Sequence, residues 1–457
     1  MIGVVLPASA AAAVANVAIT LAGRVPVNLN FTAGREAMAS AVAQCGIRTV
    51  ITTRKMAAQV EGLEASVVFI EDLIGRPGTM AKLRALVAAR FAPRRARHTP
   101  DSLATVCFSS GSTGIPKGVM LSHHNAIANI EAMAQAFRIG PEGRLASALP
   151  YFHSFGFTVT LWFPLTMGWS VVYHPNPLDA KGMGELAAKY RPTMLLSTPT
   201  FCSAYVRKCE AEQFASLQCV LVGSEKLREP VARAFEEKFG VALLEGYGAT
   251  EMSPVIAVNA PDFADQKGSK VGTVGKPLPG VAARVVDPET FEPLPPETEG
   301  LLLVKGPNRM MGYLGQPERT AEVLREGWYV TGDIATIDRD GFLRITDRLS
   351  RFSKIAGEMV PHVKVEEAMV AVLEGAPCAV TAIPDEQRGE RLAALYAAPG
   401  VDPAELWQRL AATDLPRLWL PKRENLYPVE SLPQLGTGKL DLRALQEMAR
   451  RLSQVTV

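Results

Sequence analysis

Ser109-Ser110-Gly111-Ser112-Thr113-Gly114-Ile115-Pro116-Lys117-Gly118 separates two short apolar runs, 104–108 and 119–121. Hydroxyls and glycines alternate through it, so backbone N–H and side-chain O–H groups can crowd onto one concave surface. Glycine allows the close approach and the positive φ that such a nest needs. Lys117 adds mobile positive charge at the far end. This is the chemistry of a phosphate cradle. A Walker A loop would place Ser or Thr after its Gly-Lys and open a helix. Here Lys117 follows Pro116 and precedes Gly118, and the β-branched flanks predict that the loop joins two strands. A flexible surface loop shares the Ser/Gly composition, but a Pro-Lys set between two buried strands weighs against it.

Outward from that loop, strand and helix signals alternate. Residues 2–6 read as a buried strand, and Ser9 as the N-cap of an alanine-rich helix ending near Gly23. The first 23 residues are nearly free of polar side chains, as in a membrane span or signal peptide. No basic residue precedes them, however, and Pro7 breaks the run, which favours strand and helix. Residues 48–52, 66–70, 171–173, 194–197 and 219–222 read as further strands, and 81–90 and 231–239 as helices. Such alternation predicts an α/β domain of mostly parallel sheets with crossover helices, with ligands at the carboxyl ends of the strands.

Near Gly268 the texture changes: Gly and Pro gather at 271–280 and 292–300, and short alternating strands follow at 282–286 and 300–304. These predict a small β-barrel-like subdomain over about 268–345, with Asp340-Gly341 as a hairpin turn. From about Ser350 strands and helices alternate again in a compact α+β segment.

The 457 residues suffice for two or three cored domains. Lys+Arg 48 against Asp+Glu 46 leaves a net charge of +2, which argues against a surface that coats nucleic acid. Cys45, Cys107, Cys202, Cys209, Cys219 and Cys378 are scattered without a C-x-x-C pair. They read as free thiols of a reducing, cytoplasmic setting, with no metal spacing among them. No strongly basic amphipathic helix of the sort that lies on lipid stands out, and peripheral contact with the inner face of a membrane is left open.

Three more stretches turn the cradle into a site. Glu245-Gly246-Tyr247-Gly248-Ala249-Thr250-Glu251 offers an aromatic face, a hydroxyl and a carboxylate in one tight turn. Tyr329-Val330-Thr331-Gly332-Asp333 ends a strand on a lone carboxylate. Gly436-Thr437-Gly438-Lys439 puts a lysine on a loop near the C-terminus. Singly each is weak, because a Tyr beside glycines is more often core packing and strand-end aspartates usually cap something. In this order and spacing they resemble the adenylate-forming superfamily of acyl-CoA synthetases, peptide-synthetase adenylation domains and luciferases. The resemblance runs from about Ile2 to Leu442.

The resemblance implies roles for these residues. Ser109, Ser110, Gly111, Ser112, Thr113, Gly114 and Lys117 would wrap the β,γ-phosphates of ATP. Tyr247 would stack on adenine, Glu245 and Gly246 would belong to the same ATP-binding turn, Gly223, Ser224 and Glu225 would wall the adenine pocket, and Thr250 would touch the α-phosphate. Glu251 would hold Mg²⁺, a hard cation suited to carboxylate oxygen. Asp333 would take the ribose hydroxyls, with Arg348 beside it. His153, in Tyr151-Phe152-His153-Ser154-Phe155-Gly156, matches the stretch bordering the acyl and thiol channel, although it also reads as a satisfied core histidine. Lys439 would bridge the substrate carboxylate and the α-phosphate, cancelling their repulsion at the point of attack. A thiol would then take the acyl group, releasing AMP.

By the same resemblance 1–348 is the AMP-binding domain and 349–457 a mobile lid, with the hinge in Asp347-Arg348-Leu349-Ser350-Arg351. Ser350 stands where the family more often has Asp or Lys. Lys354 would touch the nucleotide and Gly357 the thiol tunnel. The stretches LAGRVPVNLNFTAG (21–34), LVGSEKL (221–227), RFSKIAGEMV (351–360) and LPQLGTGKLD (432–441) look most like the acyl-ACP synthetase portion of bifunctional 2-acylglycerophosphoethanolamine acyltransferase/acyl-ACP synthetases. That implies a long fatty acid as substrate and the thiol of CoA or of the 4'-phosphopantetheine of ACP as acceptor. The resemblance begins at a strand that in the family follows several dozen residues, and no acyltransferase segment accompanies it. Two other readings are an adenylation domain for an amino or aryl acid and an inactive nucleotide- or acyl-binding regulator. Asn259 and the apolar residues beyond Glu251 offer no charged partner for an α-amine, and the presence of Lys439, Glu251 and Asp333 weighs against inactivity.

Overall fold

The computed structural model describes residues 1–73, 78–91, 99–109, 116–137, 142–264, 266–355, 358–385, 389–434 and 440–455. The chain divides into two compact units. Met1–Thr298, Leu302–Thr331 and Thr336–Arg344 make the first; Glu299–Leu301, Gly332–Ala335 and Ile345–Val457 make the second.

In the first unit, the N-terminal sheet is parallel throughout, ordered Pro26–Asn28, Ile2–Val5, Thr49–Thr52, Ser66–Phe69. The apolar start of the chain is thus a strand, followed by the helix Ala10–Leu21. Its N-cap is Ser9, whose hydroxyl accepts from the Ala12 amide at 3.2 Å. Asn16, buried on that helix, and Asn28 exchange side-chain hydrogen bonds of 3.1 and 2.8 Å. A buried amide pair satisfied in this way fixes one register between helix and sheet. No helix among the described residues is long and apolar enough to cross a membrane.

The central sheet has seven strands. In order they are Lys276–Pro277, Val255–Val258, Leu243–Gly248, Cys219–Val222, Met194–Ser197, Arg144–Ser147 and Ser170–Tyr173. From Leu243–Gly248 onward all neighbours are parallel, while the first two strands are antiparallel. Leu195, Val220 and Val222 pack with Tyr205, Phe214 and Phe235; Met194, Leu196 and Leu221 pack with Phe163 and Trp169. Alternate residues therefore serve opposite apolar faces, as in a sheet covered on both sides.

A three-stranded antiparallel sheet follows the order Gly312–Tyr313, Lys117–Ser122, Leu103–Ser109. Ser109 pairs with Lys117, so the two ends of the cradle are brought together as the sequence predicts. The cradle residues 110–115 lie outside the described residues. Strands Ala282–Val286, Gly300–Lys305, Trp328–Ile337, Leu324–Arg325 and Leu343–Arg348 form the sheet expected of the Gly/Pro-rich stretch. Its hairpin turns at Gly341, with φ +84° and an amide donating to the Asp338 carbonyl at 3.0 Å.

The second unit is α+β. Its sheet is ordered Glu358–Pro361, Phe352–Ile355, Gly389–Tyr396, Cys378–Asp385, with Leu426–Pro428 parallel on Gly389–Tyr396. Helix His362–Val372 contributes Val365 and Met369 to one buried cluster; helix Leu442–Val455 contributes Leu445 and Ala449 to another.

Candidate active site

Loops at the carboxyl ends of the central parallel strands carry the expected residues. After Cys219–Val222 the Gly223 amide donates to the Ser197 carbonyl at 3.3 Å, and Ser224 turns the chain at φ +68°. A Cβ on Gly223 would stand 3.5 Å from the Gly246 carbonyl and 3.6 Å from the Phe155 ring. The Gly223–Ser224 turn, the Glu245–Glu251 turn and the 151–156 aromatic stretch therefore converge on one place.

Strand Leu243–Gly248 changes partner along its length. Leu243, Leu244 and Glu245 pair in parallel with Val220–Val222, whereas Gly246, Tyr247 and Gly248 pair antiparallel with residues 255–258. A bulge between Tyr247 and Gly248 re-aims the chain there. The Glu245 carboxyl accepts from the Leu227 amide at 2.9 Å, and burial raises its pKa against the pull of that amide and of Lys226. Glu245 thus braces a wall of the site. Asn259 is equally committed: its side chain donates to the Glu245 and Thr273 carbonyls at 3.2 and 2.7 Å and accepts from the Lys270 amide at 2.9 Å.

Gly248 has no alternative. A Cβ there would lie 2.2 Å from the Pro254 carbonyl oxygen, the same oxygen that accepts from the Ala249 amide at 2.9 Å. That closure forms the short turn presenting Thr250 and Glu251. Ser154 donates to the Thr250 hydroxyl at 3.2 Å, so the aromatic stretch reaches the site through Ser154. His153 itself is exposed, its ring centroid 4.7 Å from that of Phe152. The helix beyond it, Gly156–Trp162, is wound as a π-helix and is buried along most of its length, a form concentrated at functional sites.

Glu251 is 9% exposed. Its carbonyl accepts from the Met310 amide at 2.7 Å, and its carboxylate accepts from the Tyr313 hydroxyl at 2.8 Å. Burial, then the adjacent Glu251 charge, push the Tyr313 phenol well above its ordinary pKa, so it stays a donor. The Lys117 ammonium lies 5.3 Å from the centroid of the same ring. Burial lowers the Lys117 pKa, Arg319 adds to this, and Glu251 and Glu322 oppose it. One tyrosine therefore joins Lys117, at the end of the 109–118 loop, to the acidic turn 62 residues before it. Tyr313 is held by its own pairing with Val119 and by its amide donating to Thr320 Oγ1 at 2.9 Å. Asn308 also belongs here, donating to the Met252 and Val255 carbonyls at 2.7 and 3.1 Å. Sequence reading missed both residues; the one available signal was a Gly-Tyr at the end of an apolar run.

In the second unit Asp333 is 5% exposed, and one of its carboxylate oxygens accepts from Arg348 Nε at 2.9 Å. Arg348 thus lies beside Asp333. Ser110, Gly111, Ser112, Thr113, Gly114, Gly357 and Lys439 lie outside the described residues, as does the Lys354 side chain. Among the described residues no cluster of His, Cys, Asp and Glu could hold a metal by itself.

Comparison with known proteins places this geometry. A long-chain-fatty-acid–CoA ligase of Bacillus subtilis is 33% identical over 358 residues, 76% of this chain and 61% of that protein. The chain thus spans about three fifths of the length of such relatives. A feruloyl-CoA synthase of Amycolatopsis sp is 31% identical over 429 residues, 92% of this chain and 82% of that protein. The crystal structure of ATP-bound MatB from Rhodopseudomonas palustris matches 99% of this chain and 89% of its own, at a TM-score of 0.80 and 28% identity. The model of the AMP-binding enzyme family matches residues 1–314, which include the 109–118 stretch, the Glu245–Glu251 turn and Tyr313. The chain belongs to the AMP-binding enzyme family.

Proposed function

We propose that this chain is an acid–thiol ligase that converts a carboxylic acid, ATP and a thiol into a thioester, AMP and pyrophosphate. The observation that carries it is the Lys117–Tyr313–Glu251 assembly, which sets an ammonium and a buried carboxylate around one ring beside Thr250. That arrangement suits a triphosphate arriving with a hard divalent cation. Ser109 to Thr113 and Lys117 take the β,γ-phosphates, Thr250 the α-phosphate, Tyr247 the adenine against the wall of Gly223, Ser224 and Glu225, and Asp333 with Arg348 the ribose. Lys439 bridges the attacking carboxylate and the α-phosphate, and His153 borders the acyl channel. Lys354 and Gly357 serve the nucleotide and the thiol as the lid, 349–457, moves on the 1–348 domain.

Glu251 fits Mg²⁺ by its chemistry: it is a carboxylate oxygen donor, nearly buried and pre-oriented by Tyr313. When bound, the ion offsets the charge of the leaving pyrophosphate. The chain's own work is to orient Glu251 and to hold Lys117 near the phosphates.

The acid we propose is a long fatty acid and the acceptor CoA or the phosphopantetheine of ACP. The long-chain-fatty-acid–CoA ligase relatives support the fatty acid and favour CoA. A second reading, an aryl acid, is favoured by the feruloyl-CoA synthase that matches most of this chain. The six cysteines are free, in keeping with a cytoplasmic enzyme. The test is pyrophosphate release from ATP and Mg²⁺ with C8 to C18 fatty acids and with ferulate, each run without acceptor, with CoA and with holo-ACP. Fatty-acid-dependent release that rises with CoA supports the first reading; a response to ferulate alone moves it to the second. No release with any acid refutes the ligase proposal.

A further inference from the structure

Thr79–Phe91 is a 13-residue helix whose described side chains are all exposed. Met80, Leu83, Leu86 and Val87 are 65%, 54%, 67% and 49% exposed, and no other described helix presents more than two such large apolar side chains. A helix this short is marginal in water unless tertiary packing supports it, and here every described side chain of the helix is exposed. Its apolar side needs an occupant.

Helical geometry sorts the residues. Met80, Leu83 and Val87, three and four apart, share one face with Leu86 alongside. Lys82 and Arg84 fall on the two margins of that face, and Ala81, Ala85 and Ala88 fill the other side. Charge is of one sign. The helix holds Lys82, Arg84 and Arg90 and no carboxylate, and the sequence on either side adds Arg76, Arg94, Arg95 and Arg97 before the next acid, Asp101. Because the far side is alanine rather than charged, the sequence alone does not read as a lipid-lying helix; exposure in the fold reveals it.

We propose that this helix docks the protein on an anionic lipid bilayer. Met80, Leu83 and Val87 enter the boundary of the acyl chains, and Lys82, Arg84 and Arg90 reach back to the headgroups. An acidic protein partner would answer the charges but does not call for a stripe of four bare aliphatic side chains. A neutral apolar partner would leave the cations unanswered. The proposal stands apart from the ligase reading, since none of these residues is in the nucleotide site.

The test is sedimentation of the full chain with vesicles of phosphatidylcholine alone or mixed equally with phosphatidylglycerol. Binding should be roughly tenfold tighter or more to the anionic vesicles and should weaken with salt. Lys82→Glu with Arg84→Glu should abolish it. Leu83→Ser with Val87→Ser should weaken it about tenfold, leaving the circular dichroism and vesicle-free pyrophosphate release unchanged. In a Leu86→Trp variant the indole emission should shift to the blue only with anionic vesicles. Failure to sediment overturns the proposal, as does binding that both double variants leave intact. Binding of an acidic carrier protein through the helix, with vesicles ignored, overturns it in favour of a protein partner.

Discussion

The Tyr313 hydroxyl is the most informative group to remove. In Tyr313→Phe the ring stays, so the Lys117 ammonium keeps its aromatic neighbour, and only the 2.8 Å bond to Glu251 is lost. A hydrogen bond to a charged acceptor contributes about 1.5–3 kcal/mol, and 1.4 kcal/mol is a factor of ten. If Glu251 works through that oriented carboxylate, kcat/KM for ATP should fall roughly 10- to 100-fold and the Mg²⁺ requirement should rise. The assay is acid-dependent pyrophosphate release over a Mg²⁺ titration, run on wild type, Tyr313→Phe, Glu251→Gln and the double variant. Because the tyrosine acts through Glu251, its removal in the Glu251→Gln background should cost little further. Full additivity of the two losses, or unchanged Mg²⁺ dependence in Tyr313→Phe, would refute the reasoning.

Gly248→Ala forces a Cβ to within 2.2 Å of the Pro254 carbonyl oxygen. It should destabilise the first unit by about 1–3 kcal/mol in urea unfolding and lower pyrophosphate release more than tenfold; wild-type behaviour would show that the turn yields freely. Ser154→Ala removes the 3.2 Å bond to the Thr250 hydroxyl and should lower kcat by roughly two- to tenfold, with the melting temperature little changed. His362 is buried, its ring nitrogen 2.6 Å from Ser353 Oγ, and burial, aided by Arg351, pushes its pKa down to about 3. A folded pKa below the unfolded value means that the unfolded chain takes the proton first. Stability is therefore lost as pH falls from about 6.5 toward 3. Between pH 7 and 5 that loss is about 2 kcal/mol, and the same pair of urea titrations on His362→Gln should lack it; an unchanged pH dependence in the variant counts against the assignment.

Much of this fold was legible because local and tertiary preferences agree. The β-branched runs around the Ser/Gly-rich loop, the Ser9 cap and the Met194–Ser197 and Cys219–Val222 strands each carry a local signal, and each is found where it was expected. The strands flanking residues 110–115 were readable for the same reason. What was not legible depends on meetings across the chain. Tyr313 reaches Glu251 because Gly312 and Tyr313 add a strand to Lys117–Ser122, and no spacing along the sequence encodes that pairing. The Glu245 carboxyl accepts from the Leu227 amide 18 residues before it, a meeting that its motif does not announce. The salt bridge of Arg351 to Glu366, whose carboxylate also accepts from the Val380 amide at 2.7 Å, joins the 347–351 stretch to a helix and a strand beyond it. Helical spacing was clear in 81–90, whereas the uncovered state of the apolar side of helix Thr79–Phe91 is a property of the fold.

The central claim is that this chain joins a carboxylate to the α-phosphate of ATP. Its most direct test follows an oxygen atom. With a fatty acid whose carboxyl is labelled with oxygen-18, in the presence of CoA, mass spectrometry of the AMP released should find one labelled oxygen in its phosphate. The label should be absent when Lys439→Ala has stopped turnover. Unlabelled AMP, with the label retained in the acid or lost to water, would contradict the account.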